Sequence, residues 1–134
     1  MLTVEKRLVD SDVTVLSLAG TLTLAGDRQQ VESQLHDLLR EGKLKVILDL
    51  SGLNYIDSAG VGTVVMCFGK LKRSGGTLRV AGAAGRVEHA FKTTSVHRMI
   101  QFFPTVEAAV QSFASPPTSR SDAPTDPSTG LPAR

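Results

Sequence analysis

The block Val46-Ile47-Leu48-Asp49-Leu50 is nearly continuous in apolar residues, and it limits its own surroundings more than any other feature of the chain. A strand wetted on one side alternates apolar with polar residues; one that does not alternate is covered on both faces, as in a sheet with helices packed on it. Beyond the polar run from Ser51 to Asp57, Val61, Val64, Val65, Phe68 and Leu71 recur at helical spacing, so a helix starts near Ser58 and turns that stripe to the sheet. Ser58 is thereby placed at or near an N-cap, where a phosphate on it would meet free backbone amides. Gly60 and Gly62 lie in the first turn, and their missing side chains would let another protein approach the hydroxyl closely.

The rest of the chain supplies elements to surround that strand. Thr3 to Val9 and Val13 to Ala19 read as two strands about the polar turn Asp10-Ser11-Asp12, forming an antiparallel hairpin. Gly20 to Gly26 reads as a loop. Val31, Leu35, Leu38 and Leu39 mark one face of a helix, with Asp27 and Gln30 as a candidate capping box and Gly42 as its C-cap. The central strand is expected over Leu44 to Leu50, and the Ser58 helix runs to about Arg73. Gly75-Gly76 then turns the chain into a strand from Thr77 to Ala81. A short helix with Val87, Ala90 and Phe91 follows, then an apolar piece from Met99 to Phe103. Pro104 opens a last helix carrying Val106, Ala109, Val110 and Phe113.

This order predicts an α/β fold, a mixed β-sheet of about five strands with about four helices, in one domain over residues 1–114. After Ala114 the chain turns to Ser, Pro and Thr, with Leu131 its only large aliphatic residue. Residues 115–134 therefore bury too little to offset their ordering entropy, and a disordered tail is expected there. It reads either as a solubilising extension or as a regulatory segment.

Several function classes are disfavoured. A formal net charge of +2 and an aromatic content of 4%, with no interleaved Lys/Arg block, give no nucleic-acid surface. Cys67 has no partner for an internal disulfide, Met1 to Arg7 lacks the apolar core of a secretion signal, and no apolar run reaches the ~18 residues of a membrane span. A cytoplasmic location without membrane insertion is expected. His36, His89 and His97 show no metal-ligand spacing, so neither a metal site nor a cofactor is expected. As a hydrolase nucleophile Ser58 has Ile56 where the GxSxG elbow has glycine, and no GxxxxGK[ST] loop occurs, so the chain is not expected to be an enzyme.

The string Asp57-Ser58-Ala59-Gly60-Val61-Gly62, with the strand before it and the helix after it, resembles the phosphoacceptor motif of the STAS family, the anti-sigma factor antagonists. The resemblance extends from residue 1 to about residue 114 in element order. It implies partner switching: the unmodified protein captures an anti-sigma factor that is also a serine kinase with a histidine-kinase-like ATPase fold. A phosphate on the motif serine releases the complex, and a metal-dependent serine phosphatase restores the hydroxyl. Ser58 matches the phosphorylated serine, Asp57 the acidic residue before it, and Gly60 and Gly62 the motif glycines. Ala59 and Val61 stand where the family often has serine or threonine and a larger aliphatic residue. Thr21 and Thr23 occupy the expected loop, and Thr23 replaces an acidic residue frequent in the family.

The candidate partner-binding set is Asp57, Ser58, Ala59, Gly60, Gly62, Thr21 and Thr23, with Met66 added from its place on the helix. Each has a plainer reading beside it. Ser58 is also a good N-cap, Thr23 a candidate helix cap, and Asp57 either orients the hydroxyl or takes local backbone hydrogen bonds. Met66 projects nearly opposite the apolar stripe, which suits an adaptable contact or a lone exposed apolar residue. Cys67, on the stripe's flank, reads as a small buried hydrophobe, and Lys70, Lys72 and Arg73 complement the helix dipole. The same fold would also serve a scaffold subunit of a stress-signalling assembly or an accessory subunit of a lipid-transport ATPase; a serine hydrolase using Ser58 is the remote alternative.

Overall fold

The computed structural model describes residues 2–9, 12–24 and 28–114. β1 (Leu2–Val9) and β2 (Val13–Leu22) form the expected antiparallel hairpin, with Val9 opposite Val13 and Leu2 opposite Gly20. There follow α1 (Arg28–Arg40), β3 (Lys45–Ile56), α2 (Ser58–Arg73), β4 (Thr77–Ala81), α3 (Gly85–Thr93), a 3-10 turn at Val96–Arg98, β5 (Phe102–Phe103) and α4 (Val106–Ala114). The strands lie in chain order β1-β2-β3-β4-β5, and β2 to β5 run parallel.

Both faces of β3 are covered, as its apolar block requires. Leu48 and Leu50 join Leu16, Leu18, Leu78 and Val80 in a core closed by Val31 and Leu35 of α1, Val64 and Leu71 of α2, and Val87 and Phe91 of α3. Ile47 points the other way, into a smaller cluster with Val13, Val15, Ala81 and Ala109, onto which Val106, Val110 and Phe113 of α4 pack. Arg79 of β4 fastens α4 from below: its Nη1 donates to Ser112 Oγ at 2.7 Å, and its guanidinium lies 4.0 Å from the Phe113 ring centre. At the start of α4, Thr105 Oγ1 accepts the Ala108 amide.

Two local expectations are corrected. β3 does not end at Leu50; its polar continuation pairs with β2 alone, Leu53 beside Gly20 and Ile56 beside Leu22, so β2 also takes in Gly20 to Leu22, the first part of the segment expected as a loop. Register shifts between Ser17 and Ala19 and between Gly20 and Thr21 break the alternation, leaving Leu53 and Ile56 buried at an odd spacing that hides the strand. The Gln30 side-chain amide donates to the Leu2 carbonyl at 3.1 Å and ties α1 to β1. Asp27, the other half of the candidate capping box, and the tail at 115–134 lie outside the described residues. Gly42 does end α1, with φ of +73° and the Lys43 amide donating to Leu38 O. Among the described residues no helix is long and apolar enough to cross a membrane.

Candidate functional site

β3 delivers Asp57 in extended backbone (φ −104°, ψ −178°), and the chain turns there into α2. Asp57, not Ser58, is the N-cap: its Oδ1 accepts the Gly60 amide at 2.9 Å, and its carbonyl accepts the Val61 amide at 3.0 Å. Ser58 is the first residue inside the helix and is exposed. The second carboxylate oxygen leaves the turn altogether. Asp57 Oδ2 accepts the Leu24 amide at 3.0 Å, while the Asp57 amide donates to Leu22 O at 3.3 Å.

The Leu24 amide, then the Gly60 amide, hold the Asp57 carboxyl below the ordinary aspartate range, against a smaller opposing effect of burial; the Ala59 amide adds to the lowering. The local backbone hydrogen bond is one of the two roles expected of Asp57, and the expectation that changes is that of free first-turn amides. The carboxylate is engaged by amides from two segments, and the first-turn amide of Gly60 faces Asp57 instead of standing free for a phosphate.

The two motif glycines differ in kind. Gly60 is buried, and a β-carbon there would overlap the Leu22 carbonyl oxygen and stand 2.6 Å from Ile56 Cγ1. It lets α2 sit on the end of β2, which corrects the expectation that it opens the hydroxyl to approach. Gly62 is exposed with nothing within 4 Å of a β-carbon, so only this glycine leaves room on the outer side.

The buried side of α2 comprises Gly60, Val61, Thr63, Val64, Cys67 and Leu71. Val65 and Phe68 are half-buried at its edge, which shifts the helix from its expected phase: Val65 flanks the core, and Cys67 lies within it. Met66 is half-buried as well, so it is not the fully outward residue expected. Burial pushes the Cys67 thiol up to about 12. Ala59, Thr21 and Thr23 are half-buried. Thr21 belongs to β2, in register with Tyr55, and Thr23 follows that strand; α1 starts at Arg28, so Thr23 is not its cap. His36, His89 and His97 are exposed, and among the described residues no group of three or more His, Cys, Asp or Glu is placed to hold a metal ion.

Two residues near the site were not singled out from sequence. Leu24, whose amide meets Asp57, has 66% of its surface exposed, and Tyr55, two positions before Asp57, has 44%. The available signal was Leu24 itself, a large aliphatic residue in a segment expected to be a loop.

A strand-to-helix turn at the end of a five-stranded sheet, carrying an exposed serine just past an aspartate cap, defines a class, and the STAS domain model matches residues 6–109 of this chain. The chain belongs to the STAS domain family. A protein of Thermotoga maritima named "Putative anti-sigma factor antagonist" is 25% identical over 105 residues, covering 78% of this chain and 92% of the relative. The crystal structure of an anti-sigma factor antagonist so described from Thermotoga maritima superposes with a TM-score of 0.77 at 24% identity, covering 84% of this chain and 95% of that one. The anti-sigma factor antagonist SpoIIAA in its unphosphorylated form gives 0.72 at 19% identity, covering 84% and 96%. The phosphorylated form of the Bacillus SpoIIAA gives 0.66, again at 19% identity, covering 83% and 99%. At these identities the structural likeness establishes the shared fold.

Proposed function

We propose that this STAS domain is an anti-sigma factor antagonist whose binding face is gated by a phosphate on Ser58. The observation that carries the reading is the placement of Ser58: exposed, at the first position of α2, on backbone that the Asp57 cap holds fixed. The names of its relatives support the partner class. In the free-hydroxyl form the turn and the outer side of α2 bind the anti-sigma factor, which is sequestered from its sigma factor, and transcription follows.

The chain is a substrate and a binding module, not an enzyme. On the anti-sigma kinase, Ser58 Oγ forms a bond to the γ-phosphorus of ATP as the bond to the bridging oxygen breaks. ADP leaves, and the hydroxyl proton passes to a base of the kinase. The phosphatase reverses the state by attack of water on phosphorus, which returns the hydroxyl and inorganic phosphate. A phosphoserine brings close to two negative charges. Desolvating or opposing them in an interface removes several kcal/mol of affinity, and each ~1.4 kcal/mol is tenfold. Both partners work in the cytoplasm, which is where this reading places the protein.

The test is phosphate uptake. Incubated with ATP and the anti-sigma kinase of its own organism, the full chain should take up about one phosphate, located on Ser58 by mass spectrometry. Uptake confined to the Ser/Thr-rich residues 115–134, with Ser58 unmodified, contradicts the reading.

A further inference from the structure

Ser58 follows Asp57 in the chain, and Leu24, from another segment, donates its amide to the Asp57 carboxylate. One of its oxygens caps α2 through the Gly60 amide at 2.9 Å, and the other accepts the Leu24 amide at 3.0 Å. The Asp57 amide donates to Leu22 O, the same carbonyl against which the Gly60 backbone is packed. The end of β2 is thus fastened to the first turn of α2, and Leu24, with 66% of its surface exposed, is held next to the turn that carries Ser58.

We propose that Asp57 is a positioning residue that couples Ser58 to Leu24: it holds Leu24 in place while the hydroxyl is free, and a phosphate on Ser58 loosens that hold. The proposal rests on the reading of Ser58 as a phosphoacceptor and adds what the modification does to the surface beside it. A phosphate carries almost two negative charges and three strong acceptor oxygens. Attached to the residue next to Asp57, it seeks the same first-turn amides that the Asp57 carboxylate already engages, and it repels that carboxylate. The two Asp57 bonds are unequal in the face of this competition. The Gly60 amide lies in the first turn and gains a phosphate oxygen as it loses the carboxylate, whereas the Leu24 amide lies across on the β2 side, next to the bond between Leu22 and Asp57, and is not among the first-turn amides that the phosphate takes up. The Leu24 bond is therefore the one that gives way, and the apolar surface around the hydroxyl changes along with its charge.

The test is an NMR comparison of the full chain, unmodified and with a phosphate installed on Ser58, reading the amide shift and hydrogen-exchange rate of Leu24 and Gly60. The phosphate should speed exchange at Leu24 by about tenfold or more, the loss expected for a hydrogen bond to a charged acceptor, and affect Gly60 less. Asp57→Asn, which keeps a capping oxygen, should release Leu24 without phosphate, and phosphate added to that variant should change Leu24 no further. Unchanged Leu24 exchange on phosphorylation overturns the proposal, and the unmodified and phosphorylated chains decide the matter alone if the variant fails to fold. Titration of the same two samples with the anti-sigma factor separates the two readings. Lost binding with Leu24 still protected leaves the gate standing and removes the coupling; retained binding with Leu24 released keeps the coupling and removes the gate.

Discussion

Gly60 rests its backbone on the carbonyl of Leu22, and no side chain fits between them. Gly60→Ala must move either α2 or the end of β2, because the obstacle is backbone. A loss of about 1–3 kcal/mol is expected, the usual cost of overpacking. Gly62→Ala meets nothing and replaces an exposed helical glycine, so it should stabilise by about 0.5–1 kcal/mol. Urea denaturation of the two variants measures both signs; equal effects would show that the two glycines are interchangeable.

Asp57 gives a pH dependence with a defined sign. Amide hydrogen bonds depress its pKa in the folded state, so the carboxylate's contribution is present above the ordinary aspartate value and is lost as pH falls through the lower, folded one. Near neutral pH Asp57→Ala should cost about 1 kcal/mol, as for loss of an N-cap. That gap should close in acid, below the ordinary aspartate range. Denaturation curves for both proteins across that range check it, and a gap independent of pH would remove the charge from the explanation.

The phase of α2 is tested by three glutamates. Val64 is 0% exposed, so Val64→Glu buries an unpaired carboxylate and should unfold the domain. Val65 packs on the edge of the core, and Val65→Glu should cost about 1 kcal/mol; Met66→Glu should stay within about 0.5 kcal/mol. Thermal melts rank them. Unfolding by Met66→Glu alone would place the buried face elsewhere.

Cys67 is 1% exposed, and its thiol is pushed up to about 12. Thiolate is the reactive form, so alkylation of the native protein near pH 8 should be slow and should rise with urea in step with global unfolding. Rapid labelling in the absence of urea would mean that α2 opens locally.

What the sequence disclosed follows from how each signal arises. The apolar block at Val46 to Leu50 announces a strand covered on both sides, and Leu48 and Ile47 do enter opposite cores. Val31, Leu35 and Leu38 fix α1 because a helical period survives in one clean stripe. The second half of β3 was illegible because register shifts against β2 spoil the period of two that marks a strand. At the site, the motif located Ser58, but the cap was misassigned by one residue because serine and aspartate are equally good caps. The distinct tasks of Gly60 and Gly62 depend on Leu22, and the second bond of Asp57 depends on Leu24, contacts between segments that no local pattern encodes.

The gate itself is tested most directly by calorimetric titration of the anti-sigma serine kinase into four forms of the full chain: unmodified, Ser58→Ala, Ser58→Asp and phosphorylated on Ser58. The unmodified and Ser58→Ala proteins should bind alike, Ser58→Asp more weakly, and the phosphorylated chain about a hundredfold or more below the unmodified one. Equal affinity for all four, with each shown to be folded, would contradict a binding face controlled by the charge on Ser58.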